Sequence, residues 1–204
     1  MVAYLLASLP TPRLGAEPGI EREAFLERCA GFVGDDRARD LAWVLGVGDA
    51  GPPAAPTAPR DAGQRPSETT HPSRRPADAL ADPASRAWAT LAELVDEAVM
   101  RVRAARSRRD ATADLPRPHG YRVDVAESVA DAFERPDPGA RERALDELRW
   151  RLTDELTIAE PDGFGALLAR AVQLRLAWRR VGWDTQDGWE RLEAAMRQLE
   201  EDHG

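Results

Sequence analysis

The sequence predicts an all-α protein, an antiparallel helical bundle of about seven to eight helices with a disordered Pro-rich insertion. Three observations predict it. Apolar residues recur at alternating three- and four-residue steps in segment after segment, which lines them up on one face of a helix. Strand-like alternation of apolar and polar residues is nearly absent. The helical patterns are separated by short runs of Gly, Pro and Asp, and short connections between helices imply antiparallel neighbours.

The first element is the apolar segment Tyr4-Leu5-Leu6-Ala7-Ser8-Leu9-Pro10. It is far shorter than the run of about 18 residues that suggests a membrane span. It also lacks the basic region, longer apolar core and small-residue cleavage site of an export signal. It is therefore expected to belong to a folded, cytosolic core. Phe25, Cys29 and Phe32 stand at i, i+4 and i+7, which predicts a helix over 21–33 that Gly34 ends. Asp35 or Asp36 can cap the next helix, on which Ala38, Leu41, Ala42 and Leu45 repeat the pattern up to Gly46.

From 47 to 83 the composition changes. Half of the chain's 16 prolines fall here among Ala, Gly, Ser, Thr and Arg, with almost nothing large and apolar. Such a stretch cannot bury enough surface to offset its ordering entropy, so it is expected to be a disordered insertion. The 46 residues before it are too few for a core of their own. Residues 1–46 are accordingly expected to pack onto 84–204, the bundle core.

Within 84–204, Trp88, Leu91, Val95, Ala98 and Val102 form a heptad-like seam that predicts a helix over 84–110. Asp124 and Glu127 suggest a capping box for a short helix carrying Val125, Val129 and Phe133. Pro136-Asp137-Pro138-Gly139 is a breaker, after which Leu145, Leu148, Leu152 and Leu156 line another helix, closed by Pro161-Asp162-Gly163. Phe164, Leu167, Ala171, Leu174, Trp178 and Val181 follow in the same steps, and Gly182 is expected to end them. Trp189, Leu192, Met196 and Leu199 mark a last helix. Of the six tryptophans, Trp88, Trp178 and Trp189 fall on these seams; Trp43, Trp150 and Trp183 fall off them, open to secondary burial or to an interface.

Charge and chemistry narrow the function. All 28 basic residues are Arg, and the net charge of −8 argues against wholesale nucleic-acid binding, because backbone phosphates would be repelled. Cys29 is the one cysteine, so neither an internal disulfide nor a thiolate zinc site is expected; its apolar neighbours suggest a buried structural thiol. His71, His119 and His203 lie in the insertion, a proline-rich turn and the tail, none beside a second ligand or nucleophile. The sequence contains no glycine-rich phosphate cradle, nucleophile elbow or His-Glu helix motif. No catalytic residue, cofactor or metal is expected. The local inversion of charge is Arg101, Arg103, Arg106, Arg108 and Arg109. It reads either as a landing patch for an acidic partner or as cations favoured at a helix C-terminus, with Arg101 pairing Glu97 at i, i+4. Without interleaved aromatics it suits a protein better than nucleic acid.

Two blocks carry a resemblance. Tyr4-Leu5-Leu6-Ala7-Ser8-Leu9-Pro10 followed by Ile20-Glu21-Arg22-Glu23-Ala24-Phe25-Leu26-Glu27-Arg28-Cys29 resembles a bacterial family of unknown function encoded beside V-type (A-type-like) ATPase subunits. That family tends to begin with an aromatic-rich segment ending in Ser-Leu-Pro and then a Glu-Glu-Phe-Leu-Glu helix bearing a cysteine. The block Phe164-Gly165-Ala166-Leu167-Leu168-Ala169-Arg170, continuing to Gly182, looks like the family's closing helices. It is also distantly similar to the C-type (d-type) subunit of rotary V/A-ATPases, although Val172-Gln173-Leu174-Arg175 stands where that pattern has Glu and Asn. The two blocks cover about a third of the chain. The C-type subunit is longer than this chain, and the Pro-rich insertion is no part of its pattern.

The resemblance implies a non-catalytic subunit or accessory factor of a V/A-type ATPase, coupling the central stalk to the membrane ring. Its partners would be stalk and ring subunits, and its location cytoplasmic or peripheral at the inner membrane through the complex, without direct membrane insertion. A generic helical adaptor or assembly factor is the alternative, and an enzyme with an unfamiliar site the least favoured.

Overall fold

The computed structural model describes residues 2–47, 80–108, 122–158 and 160–184. Seven α-helices and no strand occur among them: α1 (Val2–Ser8), α2 (Arg22–Ala30), α3 (Asp35–Leu45), α4 (Pro83–Arg106), α5 (Val123–Phe133), α6 (Pro138–Leu152) and α7 (Phe164–Asp184). A 3-10 turn, Thr153–Thr157, extends α6. The fold is all-α, as the spacing predicts. No helix among the described residues is long and apolar enough to cross a membrane.

α7 is the central helix. Phe164, Leu167, Leu168, Ala171, Val172 and Leu174 are all buried, so its apolar surface extends well beyond the single seam read from sequence. A helix apolar around most of its circumference needs neighbours on several sides. It packs against α1, α3, α4, α6 and the 3-10 turn. Leu5 and Leu9, Phe25 and Cys29, and Leu41 and Leu45 join Val95, Val129, Leu145 and the α7 residues in one buried cluster. Fully burying each such side chain is worth about 1.5–3 kcal/mol before entropy is counted. On α4 the seam keeps Trp88, Leu91 and Val95 but then moves to Val99, leaving Ala98 and Val102 only partly covered. The helix turns every 3.6 residues, so a strict 3-4 repeat drifts off the face it started on.

Helix starts differ from the sequence expectation in a consistent way. Asp82 caps α4, its Oδ1 accepting from the Ala84 N–H at 2.8 Å, with Pro83 in the first turn. Asp137 caps α6 likewise, accepting from Ala140 at 2.6 Å ahead of Pro138. An Asp-Pro pair is a favourable start, since the acid satisfies an orphan N–H and proline needs none. Pro136 to Gly139 thus begins a helix as much as it breaks one. By contrast, neither Asp35 nor Asp36 caps α3, whose N-cap is Gly34, and Asp36 pairs instead with Arg39. The Asp124–Glu127 capping box is also absent: the N-cap is Arg122, which binds the Asp124 carboxylate. Gly182 does not end α7, which runs to Asp184.

The insertion's C-terminal boundary moves too. Residues 48–79 lie outside the described residues, but 80–83 are ordered: Leu80 is buried, and the Asp40 carboxylate accepts from the Asp82 N–H at 3.1 Å. Arg37 holds the Asp82 carboxylate at 2.8 Å, and Arg86 donates to the Leu80 and Ala81 carbonyls at 2.9 Å each. α3 therefore anchors the chain where it re-enters the bundle. The pattern of the last helix, Trp189 to Leu199, lies outside the described residues.

Candidate partner-binding groove

Four helices enclose a groove of about 550 Å³. From α3 come Trp43 and Val44, and from α4 Trp88, Ala92, Val99 and Met100. Leu145 of α6 and Val172 and Leu176 of α7 complete its apolar surface. The residues reach it by helical spacing. Val172, Arg175, Leu176 and Arg179 stand at i, i+3, i+4 and i+7 of α7, one stripe on which apolar and basic residues alternate.

Its lining carboxylates are Glu93, Asp96 and Glu142, and its four arginines fall into two groups. Arg149 and Arg179 are engaged in a network with buried Asp146. The Asp146 Oδ1 lies 3.3 Å from Arg149 and 3.5 Å from Arg179, while Arg149 approaches Asp96 at 3.7 Å and Arg179 donates to Glu142 at 2.8 Å. Asp146 is 0% exposed, and its Oδ2 has no hydrogen-bond partner. Burial pushes its pKa above the ordinary carboxylate value, against the pull of the two guanidinium groups. Arg103 and Arg175 form the second group. Both are exposed, and neither makes an ion pair with a carboxylate among the described residues. Arg175 donates to the Val44 carbonyl at 2.8 Å. That carbonyl belongs to the last turn of α3, where helix carbonyls lack intrahelical partners and a cation is favoured. One hydrogen bond leaves most of the guanidinium's five N–H donors available.

The structure divides the Arg cluster. Arg101 donates to Glu97 at 2.9 Å, the i, i+4 pair anticipated from the sequence, and faces a separate hollow of about 280 Å³ between α4 and α5. Arg106 donates to Glu134 at 2.7 Å, with its guanidinium carbon 5.5 Å from the Phe133 ring centre. Arg108 is exposed just beyond α4, with a left-handed φ of 53°. Arg109 lies outside the described residues. Arg103 alone of the described four lines the larger groove. Trp43 reaches the same groove from α3; its position off the main stripe was the available signal. Arg149, Arg175 and Arg179 carried a weaker one, since charged residues on amphipathic helices are usually solvated.

Among the described residues, no group of three or more His, Cys, Asp or Glu stands together in a way that could hold a metal ion. What the groove offers is apolar contact area edged by four arginines and three carboxylates, of which Arg103 and Arg175 make no ion pair among the described residues; such a surface suits the apolar stripe of a helix that carries acids on its flank. No protein-family model, curated protein or solved structure matches this chain.

Proposed function

We propose that this protein is a non-catalytic helical binding component whose groove between α3, α4, α6 and α7 receives an amphipathic, acid-bearing helix of a partner protein. The observation that carries the reading is the pairing of an apolar groove lined by two tryptophans with two arginines, Arg103 and Arg175, that make no ion pair with a carboxylate of the described residues, although Glu93, Asp96 and Glu142 line the same groove. Aromatic and Arg side chains are the types that concentrate binding energy at interfaces.

Within that reading, the partners to test first are the central-stalk and membrane-ring proteins of a V/A-type ATPase, with this chain as an accessory factor or a counterpart of the C-type component. The support is the resemblance of two blocks far apart in sequence that meet in the fold. α1 packs on α7, and Arg170 donates to the Pro10 carbonyl at 3.3 Å. Affinity purification of the tagged full chain from native membranes tests it. Recovery of stalk or ring proteins is the expected result; their consistent absence would leave the adaptor reading with a different partner.

A further inference from the structure

The charges along the groove are unevenly matched. Asp96 and Glu142 lie against Arg149 and Arg179, at 3.7 Å and 2.8 Å, and buried Asp146 lies between those two arginines. Arg175 stands apart from this network. Trp178 and Arg179 follow it on α7 at i+3 and i+4 and so flank it on the helix surface. Arg22, the first residue of α2, sets its guanidinium carbon 5.3 Å from the centre of the Trp178 ring, which brings a second cation to Arg175. Burial, and then the charges of Arg22, Arg179 and Arg149 in that order, hold the Arg175 guanidinium below its ordinary value. No carboxylate is among the groups that act on it, so Glu93, Asp96 and Glu142 of the groove leave its charge uncompensated. Arg22 likewise makes no ion pair among the described residues, and Glu21 and Glu23 beside it in sequence are exposed. Each guanidinium has a support that leaves N–H donors open: the Trp178 ring holds Arg22, and the Val44 carbonyl accepts from Arg175 at 2.8 Å.

We infer that Arg22 and Arg175 form a binding site for a phosphate monoester dianion, where Arg22 of α2 reaches over α7. Two guanidinium groups held side by side repel, and an anion seated between them removes that repulsion. A phosphate monoester presents three acceptor oxygens and close to two charges, so it can accept from both groups at once and offset both; a carboxylate offsets one. A phosphorylated side chain and a free phosphate ester offer the same oxygens to the site. The site shares Arg175 with the groove but needs no docked helix, and so goes beyond the reading above.

Titration of the full chain with inorganic phosphate at about pH 8, where phosphate is a dianion, tests this. Ionic strength is held constant with chloride, and the indole N–H signal of Trp178 is followed by NMR. A saturable shift with half-saturation at about 1 mM is expected. Arg22→Gln and Arg175→Gln should each raise that concentration about tenfold, while Arg22→Lys, which keeps the charge, should raise it less. Arg103→Gln, on the α4 wall of the groove, should bind as the native chain does. Acetate should need about tenfold more than phosphate. Blocked phosphoserine is titrated beside inorganic phosphate; binding of either at this site supports the inference, and tighter binding of the blocked phosphoserine names a phosphorylated side chain as the source. A shift that does not saturate, one that is undiminished in Arg22→Gln, or acetate binding as tightly as phosphate would overturn it. Should Arg175→Gln misfold, Arg22→Gln and Arg22→Lys carry the test alone. Partner capture reads a protein and this titration a small anion, so failure of either leaves the other standing.

Discussion

The carboxylate of Asp40, 1% exposed on α3, accepts the backbone N–H of Asp82 at 3.1 Å and so fixes the point where the chain re-enters the bundle. The Ala81 N–H lies at 3.4 Å from the same carboxylate. Asp40→Ala removes this acceptor and leaves a buried N–H unsatisfied, a loss of about 1–3 kcal/mol. Urea unfolding of the variant measures it. A shift much below half a kilocalorie per mole would mean that re-entry is held by Arg37 and Arg86 instead.

Burial on α2 pushes the Cys29 thiol up from 9.0 to about 12. The thiolate is the reactive form, so a disulfide reagent at pH 8 should leave native protein unlabelled and modify it only as urea unfolds it. The folded pKa exceeds the unfolded one, so this group's contribution is intact below 9.0 and is lost as pH rises from there toward 12. Cys29→Ala should lower stability at neutral pH by opening a cavity, yet show a shallower alkaline decline than the native chain.

Asp146 gives the opposite end of the pH scale. Burial raises its pKa above the model-peptide value of 3.8, so the folded state binds a proton more readily than the unfolded state. Its ionisation therefore weakens stability as pH rises through the window that begins at 3.8. Asp146→Asn, which keeps the shape and drops the charge, should gain relative to the native chain as pH rises above 3.8. Urea midpoints across that range decide it; parallel curves would show that Arg149 and Arg179 compensate the charge fully.

At Gly165 the usual sign of a helix substitution should invert. Replacing a helical glycine by alanine normally stabilises by about 0.5–1 kcal/mol. Here an added Cβ would overlap the Leu156 carbonyl oxygen, part of the 3-10 turn that packs against α7. Gly165→Ala should therefore lower the melting temperature, and a rise would show that the turn yields at little cost.

Most of the helices were legible because their covering is local: a 3-4 spacing such as Phe25, Cys29 and Phe32 reports its own face. What escaped depends on partners distant in sequence. The broad burial of α7 follows from having α1, α3, α4, α6 and the 3-10 turn around it, which no single seam announces. Leu80 to Asp82 sat inside a proline-rich composition, although the Asp82-Pro83 pair is the same start signal that Asp137-Pro138 provides. The groove was the least legible feature. Trp43 and Arg179 belong to different helices at opposite ends of the sequence, and only their packing brings them to one cavity.

Arg103→Glu tests the central claim most directly, read against Arg106→Glu. Arg103 is an exposed groove residue, whereas Arg106 is engaged by Glu134 away from it. Both full-length variants should melt within a few degrees of the native chain, since exposed charges contribute about 0–1 kcal/mol to folding. Captured from native membranes, the Arg103→Glu protein should bring down V/A-type ATPase stalk or ring proteins about tenfold less, the equivalent of about 1.4 kcal/mol, while Arg106→Glu recovers them as the native chain does. Equal recovery with Arg103→Glu, or a loss confined to Arg106→Glu, would contradict the groove as the docking face.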